Sequence, residues 1–148
     1  MQEEITFTSI SEIYDNFLSK ISNHKYLSIP EEDIEEEFFG YFKTARAKFY
    51  RCKNNLETEI DDSGDMVIKS RLTDFEIEVL TFLMLVEYLM PIVIANDKLS
   101  QLLSDKDFKV HSQANQLREV RLLHKSCAST AKKMITEYTY LDLEEEKM

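Results

Sequence analysis

Residues 79–95 constrain the fold more than any other part of this chain, because they are apolar almost without interruption and Glu87 is their one charged side chain. A surface helix keeps a polar face; this run keeps none, so it must be covered on several sides by protein or by lipid. Glu87 near its middle is costly in a bilayer, Pro91 interrupts it, and no Lys/Arg cluster adjoins either end to set a topology. The expected state is burial in protein, as the central helix of a subunit or an interface helix between copies, with no membrane partner.

The start of that helix is written just upstream. Thr73-Asp74-Phe75-Glu76 is a capping box, in which the Thr hydroxyl and the Glu carboxylate each satisfy an orphaned backbone N–H. Phe75, Val79, Leu80, Phe82, Leu83, Val86, Leu89 and Met90 follow, and Phe75, Val79, Leu83 and Val86 are the predicted core or interface residues. Pro91 is expected to kink or end the helix, with 92–103 continuing beyond the kink.

Two further helices are predicted before it. Ser9-Ile10-Ser11-Glu12 fits a capping box, and Ile10, Ile13, Phe17, Leu18 and Ile21 follow at helical spacing until Asn23-His24. Ser28-Ile29-Pro30-Glu31-Glu32-Asp33 signals a second start, with the stripe Ile34, Phe38, Tyr41 or Phe42, Ala45, Phe49 and Cys52. Lys43, Arg46, Lys48, Arg51 and Lys53 then lie near the negative end of the helix dipole. Residues 56–60 and 66–70 flank the loop Asp61-Asp62-Ser63-Gly64-Asp65 and read as a small hairpin. A calcium loop is the weaker reading, since the twelfth-position Glu and the flanking helices are missing.

After 105–111 the periodicity resumes at Ser112, read as the cap of a long helix reaching about Tyr140. Leu117, Val120, His124, Cys127, Ala131, Met134 and Tyr138 form a seam of threes and fours that Leu123 and Ile135 widen, and bundle packing is favoured over a coiled coil. The expected fold is therefore all-α: a helical bundle with a long C-terminal helix and a small β-hairpin insertion, one domain over 1–140. Residues 141–148 would be a short, acidic, mobile tail. With only two glycines and two prolines, a turn-dense β fold and the glycine-rich phosphate loops are both excluded.

Charge is segregated within a net −10: acidic over 1–42, basic over 43–53, acidic over 54–104, basic over 105–133 and acidic over 134–148. The blocks read as solvated helix faces or as surfaces that meet opposite charge on a neighbouring copy, with Lys43, Arg46, Lys48 and Arg51 as the inter-subunit candidates. Net acidity argues against general nucleic-acid binding. The histidines (His24, His111, His124) form no metal-ligand spacing, and His124-x-x-Cys127 would need two more zinc ligands. No nucleophile elbow or defined carboxylate pair is present, so no catalytic residue, metal or cofactor is expected. Two cysteines and no leader pattern at the start point to a reducing compartment.

The block Leu72-Thr73-Asp74-Phe75-Glu76-Ile77, Leu80, Met84, Glu87-Tyr88-Leu89 and Pro91 resembles a segment of small structural proteins of tailed bacteriophages. Lys106-Asp107-Phe108, Ser112-Gln113-Ala114-Asn115-Gln116-Leu117 and Tyr138-Thr139-Tyr140 are similar to the second half of those neck, or head-to-tail connector, proteins. The likeness covers roughly residues 72–140. It implies a structural subunit of a dodecameric homo-oligomeric ring, made in the host cytoplasm and placed in the virion neck. Such a ring docks on the portal protein, meets other neck or tail proteins, and passes DNA through its channel without sequence-specific binding. An electronegative lining suits that task, because it repels phosphate. The segment from Tyr138 onward, with Tyr140, Leu141 and Leu143 as apolar anchors among acids, is the expected portal or neighbour docking element. The alternative is a cytosolic helical interaction protein forming a small homo-oligomer.

Overall fold

The computed structural model describes residues 7–22, 34–103 and 111–147, with side chains at 7–22, 35–95 and 118–141. In chain order the elements are β1 (Thr8–Ser9), α1 (Ile10–Ser22), α2 (Ile34–Lys48), β2 (Thr58–Ile60), β3 (Met66–Ile68), α3 (Asp74–Leu103) and α4 (His111–Lys147). The 4 helices hold most of the described residues.

α3 is the axis of the molecule, and α1, α2 and α4 all pack on it. Val79, Leu80, Met84 and Leu89 are wholly enclosed. Val79, Leu83 and Val86 are buried as the apolar pattern requires, and Phe75 is partly buried. The segment Asp74–Ala95 is long and apolar enough to cross a membrane, yet 50% of its window is buried inside the protein, as for a core helix. On one side Phe17 of α1 meets Phe38 of α2 edge-on at 5.0 Å and Tyr88 of α3 at 5.7 Å. The aromatic pattern of three helices thus converges on one ring, a geometry worth about 0.5–1.5 kcal/mol per pair beyond area burial.

A polar seam fixes α1 against α3. Asn16 Nδ2 donates to Glu78 Oε1 at 2.7 Å and to Thr81 Oγ1 at 2.9 Å, and Lys20 pairs with Glu78 at 3.1 Å. Arg71 grips Glu12 through two hydrogen bonds of 2.7 and 3.3 Å.

The all-α expectation needs correction. β1 joins the hairpin as a third antiparallel strand, giving the order β1-β3-β2 with Thr8 opposite Ile68 on one side and Thr58 opposite Ile68 on the other. A two-residue strand is too short to show a period of two in sequence. Buried Thr8 holds it in place: its hydroxyl donates to the Ser70 carbonyl at 2.6 Å and accepts from Leu72 N–H at 2.8 Å. The hairpin itself is present with strands shorter than expected. Its loop is built by Asp61, whose Oδ1 accepts from Ser63 and Asp65 N–H, both at 2.9 Å, while Gly64 takes a left-handed φ of 86° that other residues avoid.

One cap and the bounds of α4 differ from the expectation. Ser9 caps α1 through Ser11 N–H at 3.4 Å, but Glu12 turns to Arg71, so that capping box is half formed. α3 runs through Pro91 to Leu103, the continuation expected beyond the proline. Pro91 is exposed, so its ring stands clear of the core while the helix gives up one hydrogen bond. α4 begins at His111, which places Ser112 inside the first turn instead of at the cap, and it continues past Tyr140 to Lys147. The 141–147 segment is therefore the last part of α4. The predicted stop at Asn23-His24, the start at 28–33 and the motif at 106–108 lie outside the described residues.

Candidate assembly site

Tyr138 on α4 packs edge-on against Phe49 at 5.1 Å and stacks on Phe75 at 6.1 Å, the first-turn phenylalanine of α3. Because the end of α4 meets the start of α3, the two helices run antiparallel. At 1.5 Å per residue α3 and α4, with 30 and 37 residues, are about 45 and 55 Å long. The turns of α4 after Tyr138 thus overhang the beginning of α3.

The capping box of α3 has become a polar node. Glu76 is buried, and its Oε1 accepts from Thr73 N–H at 2.8 Å and Asn54 Nδ2 at 2.7 Å. Its Oε2 accepts from Tyr138 Oη at 2.7 Å and Cys52 Sγ at 3.2 Å, and Glu76 N–H returns a 3.1 Å bond to Thr73 Oγ1. A carboxylate has about four acceptor sites, and all are filled. Burial pushes the Glu76 carboxyl up, but the hydrogen bonds from Thr73, Tyr138, Asn54 and Cys52 outweigh it and hold the acid below its ordinary range. Burial, with the Glu76 charge beside it, pushes the Cys52 thiol up to about 12. Tyr138 is raised as well, by burial and by Glu76. A thiol held protonated and a carboxylate with no spare lone pair suit a clamp, and leave no base for nucleophilic chemistry.

Tyr138, partly buried, thus points its ring and hydroxyl inward and ties α4 to α3 within the subunit. Tyr140 and Leu141, at 65% and 55% exposure, do face outward. Leu143 is in α4, and its side chain lies outside the described residues. No family model, curated protein or solved structure matches the chain.

The basic cluster is partly used within the subunit. Lys48 pairs with Glu87 at 2.5 Å, and Arg46 donates to the Leu56 carbonyl at 3.3 Å while lying over the Phe42 ring at 5.7 Å. Lys43 lies over Phe39 at 4.8 Å and Arg51 over Tyr50 at 5.6 Å. Glu87, which made the apolar run improbable in lipid, thus finds its counter-ion on α2. Among the described residues no group of three or more His, Cys, Asp or Glu gathers for a metal, and His124 Nε2 is a buried nitrogen without a hydrogen-bond partner.

Two surface features were not legible in the sequence. A groove of about 280 Å³ runs between α3 and α4, floored by Leu83, Val86, Ala131 and Ile135 and edged by Lys48 and Lys132. A second cavity of about 480 Å³ opens between the starts of α1 and α2 and the hairpin loop, with Tyr14, Phe39, Glu35, Glu36 and Asp65 on its walls. The only sequence signal for the groove is the small residue Ala131 in the α4 seam.

Proposed function

We propose that this chain is a structural subunit of a head-to-tail connector ring in a tailed phage, docking on the portal and extending the DNA channel towards the tail. The observation that carries the reading is the α3–α4 hairpin, a pair of long helices with exposed apolar side chains at two separated places. Met90 and Ile94 lie at and just beyond the middle of α3, and Tyr140 and Leu141 near the far end of α4. A subunit that bridges two neighbours needs such surface at two separated places, since large apolar groups left in water favour association. The resemblance over 72–140 supplies the class, and the net charge of −10 suits a wall that DNA slides past.

The test is reconstitution. Purified chain added to DNA-filled, tail-less particles bearing a portal should cosediment with them, and imaging should reveal an added ring beneath the portal. Particles that recover no chain, with density unchanged, reject the proposal.

A further inference from the structure

The C-terminal end of α4 carries charge of the wrong sign for its own helix. Acids stabilise a helix at its N-terminus and bases at its C-terminus, and α2 obeys, with Glu35, Glu36 and Glu37 in its first turn and Arg46 and Lys48 in its last. The first turn of α4 is uncharged, its exposed bases Arg118, Arg121, Lys125, Lys132 and Lys133 lie in its interior, and it ends in a segment that sets Asp142, Glu144, Glu145 and Glu146 against one base, Lys147. Its terminal acids are repelled by the carbonyl pole of the helix that bears them. A cationic surface outside the helix relieves that repulsion.

The groove between α3 and α4 is such a surface, apolar along its floor and edged by Lys48 and Lys132. Lys48 is already shared with Glu87, and Lys132 has no ion pair among the described residues. The overhanging end of α4 has the complementary chemistry, exposed Tyr140 and Leu141 followed by acids. A straight helix cannot fill a groove that its own Lys132 and Ile135 line. We infer that the C-terminal turns of α4, from Tyr140 on, dock in the α3–α4 groove of a second copy of this chain. Apolar side chains enter over Leu83 and Val86, and the acids meet Lys132. The contact is head-to-tail, so every copy offers one end and one groove, and repetition makes a ring or a filament. It rests on the connector reading only for closure into a ring.

The experiment uses the full chain and two folded variants, their helicity checked by circular dichroism. Lys132→Glu with Thr136→Glu reverses the groove without touching the Lys48–Glu87 pair. Glu144→Lys, Glu145→Lys and Glu146→Lys reverses the end. Sedimentation of the wild type should reveal self-association that weakens as salt rises, and each variant alone should lose about tenfold or more in affinity. An equimolar mixture of the two should regain it, because each then presents charge opposite to the other's, and structural damage would not be rescued this way. Wild-type association weaker than a Kd of about 1 mM, association intact in both variants, or a mixture that stays dissociated each overturns the contact. Portal-bearing particles separate the two readings. A chain that binds them without using the groove leaves the connector standing and removes the contact; one that self-associates through the groove and ignores the portal does the reverse.

Discussion

The Tyr138 hydroxyl donates a 2.7 Å hydrogen bond to Glu76 Oε2 from 62 positions away, joining the last turns of α4 to the first turn of α3. It also accepts from Lys53 N–H at 2.8 Å, so one oxygen ties α3, α4 and the segment after α2 together. Tyr138→Phe keeps the ring against Phe49 and Phe75 and removes these bonds. The expected cost is about 1.5–3 kcal/mol, the range for a hydrogen bond to a charged group. Urea unfolding measures it, and a midpoint unchanged from wild type contradicts the clamp.

Acid should loosen the same node. The Glu76 carboxyl is held below its ordinary value of 4.5 in the folded state, so the unfolded chain takes up its proton first. The stability from this group is present above 4.5 and is lost as pH falls towards the folded value. Glu76→Gln should be less stable than wild type at neutral pH and should have a flatter stability profile below 4.5. Parallel profiles for the two proteins refute the assignment.

The alkaline side is governed in part by Cys52, whose thiol is raised from 9.0 to about 12 in the folded protein. The unfolded state releases that proton from about pH 9, so stability should decline between 9 and 12. At pH 8 the native thiol should alkylate far more slowly than the same thiol in urea, because the thiolate is the reacting species. Equal alkylation rates in the native and unfolded chains count against a thiol held by Glu76.

Pro91 occupies an exposed interior position of α3, where it removes a helical hydrogen bond. Pro91→Ala should therefore stabilise the protein, by about 1–3 kcal/mol on the helix-propensity scale. Thermal unfolding reads the change; a lower Tm would mean that the proline's shape is itself required for packing.

Leu80 and Leu83 separate the core from the groove. Leu80 is wholly enclosed, and Leu83, although buried, borders the space beside Lys132. Leu80→Asp should cost about 4 kcal/mol or more, as an unpaired charge in the core does. Leu83→Asp should cost less, because its carboxylate reaches the groove mouth and a lysine. Equal penalties would place both side chains in the same environment.

Much of this architecture was readable before any coordinates. Apolar spacing located α1, α2, α3 and most of α4, Thr73 and Glu76 marked the start of α3, and the acid-glycine loop marked the hairpin, because these signals act within a few residues of one another. The strand at Thr8–Ser9 was not readable, since its partner is β3 and its hold is a Thr8 hydroxyl bridging Ser70 and Leu72. Nor was the fate of individual polar groups. The sequence placed Glu76 in a cap and Tyr138 on a seam, and only packing brought Asn54, Cys52 and Tyr138 around one buried carboxylate, turning an expected docking residue inward. Lys48 and Glu87 were legible as charges of opposite sign; that they neutralise each other at 2.5 Å was decided by α2 lying across α3. Local periodicity and capping are short-range and survive in a bare sequence, whereas ion pairing, a groove and the direction a tyrosine faces are relations between segments that meet only in the folded chain.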